Sequence, residues 1–516
     1  MLKSFAKVRD VLAIVAIALL DIGRAGAADA DSVSLAINSI SADELKQHVA
    51  ALADDSFEGR EAGTRGGRAA GVYLGKEYQK LALRGGAEDK GYYQPFNGNC
   101  RNILGVIEGS DPELKKQVVV IGAHYDHVGL GTHRNSHGPI GYIHNGADDN
   151  ASGSAGLVEL AQAFTKLKPA PKRTILFALW DSEEEGLFGS KYWLDHPSLP
   201  LNQVTFMFNA DMIGRLRKDK VEALGCRTAP GLRRFVSQQN RDGKLLVDFT
   251  WEMKENSDHF PFVAHNIPVL MLFTGLHEDY HTPGDKAEKL NPEGMCEVTR
   301  LYFAMALEMA EMDKTPRFRA AGRTETPEMR KSAEQPLAPL PGRLGIGWPN
   351  EADQEPGLKM TAVQVGSAAH KAGIQVGDRL LKFAGRDVTD GEILRRCVLA
   401  AGPAVEVVVQ RPGEKEPRTL PVKLGGEPVR WGLTWRTDEA EPGCVILSRV
   451  VPGSPAEQAG LYPSDRVYQI NGHDFADAKE FNEALASATG AVEFMYERWG
   501  QMRSCTLQPP ETEATK

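Results

Sequence analysis

From about Ser41 to Asp313, short apolar runs of strand length alternate with stretches whose apolar residues have helical spacing. The short runs are nearly continuous, which is typical of parallel strands buried on both faces. We predict strands at 118–123, 174–180, 204–210 and 268–273, and helices at 151–168 and 292–312. This order of elements predicts an open, doubly wound α/β sheet.

The pattern changes after this region. Between Thr315 and Pro341 the chain has five prolines, many charges and few large apolar residues, which indicates an exposed linker. Beyond the linker, seven residues recur 87 positions apart, beginning with Gly345 and Gly432. A constant offset shared by so many identities indicates two copies of one small domain.

The first residues have the pattern of an export signal. Lys3, Lys7 and Arg9 precede an unbroken apolar run at 11–20, and 25–27 fits an A-x-A cleavage site. A buried first helix is the alternative. We expect an exported protein, periplasmic or extracellular, with no integral membrane span after removal of residues 1–27.

Charge and cysteine content narrow the classes of partner and cofactor. The 516-residue chain has the composition of a globular protein, 42% hydrophobic and 25% charged, and its formal net charge is −9. Because it has no long basic run, we expect no nucleic acid partner. Its six cysteines have no C-x-x-C spacing, so they indicate neither a zinc ribbon nor a redox motif, and their pairing stays open.

Imidazole or carboxylate side chains follow each predicted strand. His124 follows the first strand, Glu183 and Glu184 the second, and Asp211 the third, while His281 comes after the fourth and a short loop. Ligands collect at the carboxyl ends of strands in open α/β sheets, so we expect these side chains at one edge. A further pair, Asp148 and Asp149, precedes the helix at 151–168.

Each of these signals alone has an ordinary structural explanation, such as a solvated glutamate run or an aspartate helix cap. Together they form the set that a two-metal hydrolytic site requires, in which imidazoles and carboxylates hold two zinc ions around a bridging carboxylate. Of two adjacent glutamates, one can bind metal while the other acts as a general base.

Six motifs in order resemble a known family: GAHYDH, GADDNASG, SEEEGLFGS, NADMIG, SDHFPF and YHTPGD. They are similar to those of the co-catalytic dizinc aminopeptidases of the transferrin-receptor and glutamate-carboxypeptidase clan. The resemblance covers about Ser41 to Asp313 and includes the upstream segment FEGREAGT.

The resemblance implies a role for each matching residue. It makes Asp149 the bridge between two Zn²⁺ ions, with Glu184 and His281 on one ion and His124 and Asp211 on the other. It makes Glu183 the general base that takes a proton from the water between the metals, although a third glutamate in DSEEEG allows a shift of register by one. Asp126 would orient the imidazole of His124, and Tyr280 would steady the oxyanion.

A histidine-rich loop runs from the last residue of the first motif to the start of the second. We interpret it as a rim of the active site, with binding of an extra metal as the alternative; its histidines are His127, His133, His137 and His144.

The two repeats resemble bacterial PDZ domains. Leu344, Gly345 and Ile346 in the first copy, and Trp431, Gly432 and Leu433 in the second, match the loop whose backbone N–H groups capture a C-terminal carboxylate. Spacer modules that dock onto the catalytic domain are the alternative. The predicted organisation is a signal peptide at 1–27, a zinc peptidase domain at 28–315, a Pro-rich linker at 316–341, PDZ domains at 342–425 and 426–510, and a tail at 511–516.

We therefore expect an exported zinc exopeptidase, most simply an aminopeptidase that acts on peptides with a free N-terminus, with PDZ domains that bind C-terminal peptides or partners. Rival activities on the same fold are a carboxypeptidase and a glutaminyl-cyclase-like acyltransferase with one zinc. A non-catalytic scaffold, as in the transferrin receptor, is the rival from another class.

Overall fold

A computed structural model describes residues 28–240, 243–340, 342–349, 355–426 and 428–509. The predicted signal peptide at 1–27 and the predicted tail at 511–516 lie outside the described residues. Two compact units divide the chain: the first comprises the residues up to Arg330 with 499–501, and the second comprises 331–498 and 502–516.

The first unit is a mixed α/β sheet with helices on both faces. Its strands are β1 (Arg84–Gly85), β2 (Tyr93–Phe96), β3 (Cys100–Ile107), β4 (Val118–His124), β5 (Thr174–Trp180), β6 (Val204–Ala210), β7 (Lys220–Leu224), β8 (Leu246–Phe249) and β9 (Val269–Phe273). Its helices are α1 (Ala30–Ser39), α2 (Ala42–Leu52), α3 (Arg65–Lys80), α4 (Gly153–Thr165), α5 (Phe188–Asp195), α6 (Leu232–Gln239), α7 (His259–Ala264) and α8 (Pro292–Glu311). Short 3-10 turns lie at Asp55–Arg60, Leu114–Lys116, Leu201–Gln203, Ala287–Lys289 and Ala320–Arg323, and a π turn lies at Ala147–Ser152.

The strand order places the carboxyl ends of four parallel strands side by side. The order is β1-β3-β5-β4-β6-β9-β7-β8, with β2 paired to β3. Strands β5, β4, β6 and β9 run parallel, whereas β3 and β7 pair antiparallel with the edges of this group. The prediction of an open, doubly wound α/β sheet is confirmed, and the antiparallel outer strands make it a mixed one.

Burial on both faces explains why the strands read as continuous apolar runs. On β4, Val119 and Ile121 pack in the apolar cluster that includes α2, α4 and α8, while Val118 and Val120 pack in a second cluster with Trp193 of α5. Successive side chains of a strand point to opposite faces, so each must be apolar where both faces are covered.

Part of the predicted linker packs against the first unit. The carboxylate of Glu325 is buried and accepts hydrogen bonds from the guanidinium groups of Arg227 and Arg319. Helix α9 (Pro327–Glu334) follows and contains the boundary between the units.

The second unit consists of small β-sheets with short helices, as the resemblance to PDZ domains implied. Its strands are β10 (Ile346–Gly347), β11 (Leu358–Lys359), β12 (Ala362–Val363), β13 (Arg379–Phe383), β14 (Arg386–Asp387), β15 (Ala404–Gln410), β16 (Arg418–Lys423), β17 (Leu433–Arg436), β18 (Val445–Val450), β19 (Arg466–Ile470), β20 (His473–Asp474), β21 (Val492–Arg498) and β22 (Gln501–Leu507). Its helices are α10 (Ala368–Lys371), α11 (Gly391–Ala400), α12 (Pro455–Gln458) and α13 (Ala478–Ser487).

The internal repeat of the sequence is also a repeat of structure. Strands β13 and β19, and helices α11 and α13, occupy positions 87 residues apart. Each copy holds the same ion pair: Arg411 with Asp378 at 2.9 Å, and Arg498 with Asp465 at 2.6 Å. Because residues 87 positions apart form the same contact, the two copies are repeats of one domain.

The structure also bears on the cysteines and on the expectation about membrane-spanning segments. Four of the six cysteines are buried, namely Cys100, Cys226, Cys296 and Cys444. Among the described residues, no helix combines the length and apolar character that crossing a bilayer demands.

Candidate metal centre

The candidate site lies where the four parallel strands end. His124 is the last residue of β4, Asp211 directly follows β6, and Glu184 lies four residues beyond β5. His281 comes from the loop after β9, and Asp149 from the π turn before α4. Parallel pairing of the strands thus brings together side chains that are far apart in the sequence.

One cluster of donor atoms surrounds His281. Its Nε2 lies 3.0 Å from Asp149 Oδ2 and 3.1 Å from Glu184 Oε2. Its Nδ1 donates a hydrogen bond to the backbone carbonyl of Asn135 at 2.8 Å, which directs Nε2 toward the carboxylates. His127 completes this cluster, with its Nδ1 2.8 Å from Glu184 Oε1.

A second cluster surrounds His124. Its Nε2 lies 3.4 Å from Asp149 Oδ1 and 3.3 Å from Asp211 Oδ1. The two oxygens of the Asp149 carboxylate therefore face different histidines, Oδ1 toward His124 and Oδ2 toward His281. The donor atoms within each cluster lie within 4.8 Å of one another, so each could surround one metal ion.

Asp126 connects the end of β4 to Glu183 and Glu184. Its backbone carbonyl accepts a hydrogen bond from His124 Nδ1 at 3.2 Å, and its carboxylate Oδ1 lies 3.7 Å from the same nitrogen. The carboxylate also accepts hydrogen bonds from the backbone N–H groups of Glu183 and Glu184. A fully buried Asp126 thus orients the imidazole and fixes the backbone of both glutamates.

The environment of Glu183 disfavours the charged form of its carboxyl. Burial raises the pKa of its carboxyl well above the usual range, and the nearby negative charge of Glu184 adds to this rise. Glu185, the third glutamate of the run, is exposed and belongs to neither cluster. Of the three glutamates in the run, Glu184 is therefore the one that lies in the cluster around His281.

The histidines and carboxylates stabilise each other's charge. Burial alone would lower the pKa of His281, but its hydrogen bonds with Asp149 and Glu184 raise that pKa to about 11. Burial would raise the pKa of Asp149, but the contacts with His124 and His281 hold it well below its ordinary value. Opposite pKa shifts of this kind among neighbouring buried groups are typical of functional sites.

Tyr280 and three histidines of the rim loop lie outside the two clusters. The ring of Tyr280 stacks on that of His281 with 3.9 Å between centroids, and burial raises the pKa of its hydroxyl. His137 lies 5.5 Å from the His281 ring, His144 contacts Ser136 Oγ, and His133 is exposed.

His127 is the cluster member that we did not predict as a ligand. Its spacing of three residues from His124 in GAHYDH was the available signal. In an irregular loop no periodic pattern indicates where a side chain points. The sequence alone therefore could not show that His127 faces Glu184.

The predicted carboxylate-binding loops of the repeats occupy equivalent places. Gly345 (φ +77°) and Gly432 (φ +74°) lie in the left-handed region that favours glycine. The carbonyls of Leu344 and Trp431 accept hydrogen bonds from the helices α10 and α12, and Ile346 and Leu433 begin the strands β10 and β17.

Residues 102–306 match the profile of peptidase family M28, and 360–411 and 446–495 each match the PDZ domain. The chain is 28% identical to aminopeptidase YwaD of Bacillus subtilis over 43% of this chain and 47% of that protein. It is 26% identical to leucine aminopeptidase 2 of Trichophyton equinum over 48% of this chain and 51% of that protein. It thus spans about half the length of these relatives. The solved LapA aminopeptidase of Legionella pneumophila is 23% identical with a TM-score of 0.45, over 55% of this chain and 73% of that chain.

Proposed function

We propose that this chain, which carries a peptidase family M28 domain and two PDZ domains, is a zinc aminopeptidase that removes N-terminal residues from peptides. The observation that carries the proposal is the position of Asp149, whose two carboxylate oxygens face His124 and His281 from the middle of two donor clusters. The relatives named as aminopeptidases support the choice of reaction.

The donor set fits two Zn²⁺ ions. It combines imidazole nitrogens with carboxylate oxygens, the mixture that zinc accepts in hydrolytic sites. Glu184 and His281 would hold one ion, His124 and Asp211 the other, and Asp149 would bridge them. When bound, the ions supply a water of lowered pKa and polarise the scissile carbonyl.

The chain's own groups would then move the proton. Glu183 takes a proton from the attacking water and delivers it to the leaving amine. Asp126 keeps Glu183 in place through the backbone N–H and keeps His124 in one orientation. Tyr280, stacked on His281, is available to donate to the oxyanion.

Three matched peptides test the reaction: one with free termini, one N-acetylated and one C-terminally amidated. We expect the purified chain with zinc to release the first residue from the free and amidated peptides but not from the acetylated one. A chelator should abolish release, and added zinc should restore it. Release of the last residue from the acetylated peptide would instead identify a carboxypeptidase.

We propose that the chain is exported with cleavage after residue 27. The basic start, the apolar run at 11–20 and the A-x-A site support this. Expression of the full chain in a bacterium, followed by fractionation and N-terminal sequencing, should find a periplasmic or secreted product that begins at Ala28. Unprocessed protein that remains in the cytoplasm would contradict the proposal.

We propose that the PDZ domains bind C-terminal peptides or partners. Support comes from the paired loops at Gly345 and Gly432, each directly before a strand that could accept an added peptide strand. A fluorescence-polarisation screen should find peptides that bind with a free carboxylate and lose binding when amidated. Equal binding of the amidated forms would exclude carboxylate capture.

A further inference from the structure

His127 is held rigidly against the candidate metal centre. Its backbone N–H donates to the carbonyl of Arg60 at 3.2 Å, and its side chain is fully buried. The ring packs on the bare backbone of Gly146, where a Cβ atom would come within 2.4 Å of His127 Cδ2. The direction of the imidazole is therefore fixed by its surroundings.

The polar edge of this ring faces the carboxylates that His281 also contacts. His127 Nδ1 lies 2.8 Å from Glu184 Oε1 and 3.8 Å from Asp149 Oδ2. The rings of His127 and His281 are nearly perpendicular, at 83°, with 5.4 Å between centroids. Among the described residues, His127 Nε2 has no hydrogen-bond partner, so the carboxylate pair provides the polar contacts of the ring.

The two donor clusters consequently differ in size. One contains four protein groups, namely His127, Asp149, Glu184 and His281, whereas the other contains His124, Asp149 and Asp211. Four protein ligands close a tetrahedral zinc site, whereas three leave a position for water or substrate.

We propose that His127 is a fourth protein ligand of the metal ion held by Asp149, Glu184 and His281, which makes the two metal sites unequal. The four-ligand site binds zinc more tightly and fills first, while the three-ligand site exchanges its ion more readily. This inference rests on the proposed metal centre and concerns its loading rather than the reaction.

Titration of the metal-stripped full chain with Zn²⁺ in the presence of a competing chromophoric chelator tests the inequality. Wild-type protein should bind two equivalents in two resolved steps. We expect H127A to weaken the tighter step by about 100-fold or more and to leave the weaker step in place. H133A, which removes an exposed histidine from the same loop, should titrate like wild type.

H127N separates a metal ligand from a hydrogen-bond donor, because the asparagine amide can still donate to Glu184 but its nitrogen does not bind zinc. Loss of the tight step in both H127A and H127N supports the proposal. A wild-type titration by either variant overturns it.

Co²⁺ provides a readout that needs no variant. One equivalent added to the stripped wild-type chain should give the intense visible absorption of a tetrahedral ion, and the weak spectrum of a five- or six-coordinate ion would overturn the proposal. None of these measurements requires turnover. A chain that titrates as expected but releases no amino acid would contradict the proposed function alone.

Discussion

Asp285 accepts a hydrogen bond from the backbone N–H of Asp149, with 3.0 Å between N and Oδ2. The same oxygen accepts a second hydrogen bond from the N–H of Asp148, and the other carboxylate oxygen binds Arg215 at 2.8 Å. Asp285 thus holds the π turn that presents Asp149 to His124 and His281, although it contacts none of the three imidazoles in the donor clusters.

Removal of this support should weaken metal binding. We expect Asp285→Ala to reduce zinc affinity by about 10- to 100-fold, because the turn that carries Asp149 loses its anchor. The matched control is Asp279→Ala, which removes the carboxylate at the other end of Arg215. Zinc titration of both variants checks the prediction, and equal effects would show that Arg215 rather than Asp285 matters.

Substitution of Glu183 by glutamine should separate catalysis from metal binding. The variant keeps the shape and hydrogen-bonding capacity of the side chain but cannot accept a proton, so we expect kcat to fall by about 100- to 10,000-fold. Zinc content measured by mass spectrometry should stay that of wild type. Near-normal turnover would show that another group is the base.

We expect ionisation of the Glu159 carboxyl to make the free energy of unfolding depend on pH. Burial raises its pKa from an ordinary 4.5 to about 8, because the charged form is poorly solvated in the folded chain. An acid whose pKa is raised on folding contributes stability below its unfolded pKa, and that contribution is lost as pH rises from about 4.5 through about 8.

Glu159→Gln removes this titration and retains an acceptor for the backbone N–H of Ser41. Relative to wild type, the variant should gain about 1–3 kcal/mol in free energy of unfolding between pH 5 and pH 9. Urea denaturation at both values measures the gain. The exposed Glu288→Gln should show none, and a gain of similar size there would point to net charge as the cause.

We expect the ion pair between Glu325 and Arg227 to stabilise the first unit. Glu325→Ala removes the carboxylate that binds the buried guanidinium of Arg227, so we expect a loss of about 3 kcal/mol in free energy of unfolding. The exposed Glu255→Ala serves as the control. Thermal unfolding measures the loss, and an unchanged midpoint in the Glu325 variant would show that this ion pair does not stabilise the first unit.

The central strands could be predicted because their environment leaves a strong pattern. The predicted bounds 174–180 and 204–210 coincide with β5 and β6, since both faces of these strands are buried. The strand ends then placed His124 and Asp211 at one edge of the sheet. These relations depend on local sequence and on the geometry of parallel strands.

The surroundings of the donors could not be predicted in the same way. The loop between His127 and Gly146 has no regular structure, so its contacts depend on tertiary packing. The contact between the backbone of Gly146 and the imidazole of His127 is an example. The buried side chain of Arg60 likewise donates hydrogen bonds to the carbonyls of Tyr125, Asn145 and Gly146. The sequence around Arg60 does not indicate these contacts. Long-range contacts of this kind follow from the assembled fold.

The wide separation of the donors along the chain, from His124 to His281, has a consequence for biogenesis. An unfolded chain presents these donors in separate short segments, and each segment alone binds a cation weakly. The full pocket exists only after the last parallel strand has joined the sheet. Metal binding would therefore follow the assembly of these strands, and saturation with zinc would report that the segments that carry the donors have come together.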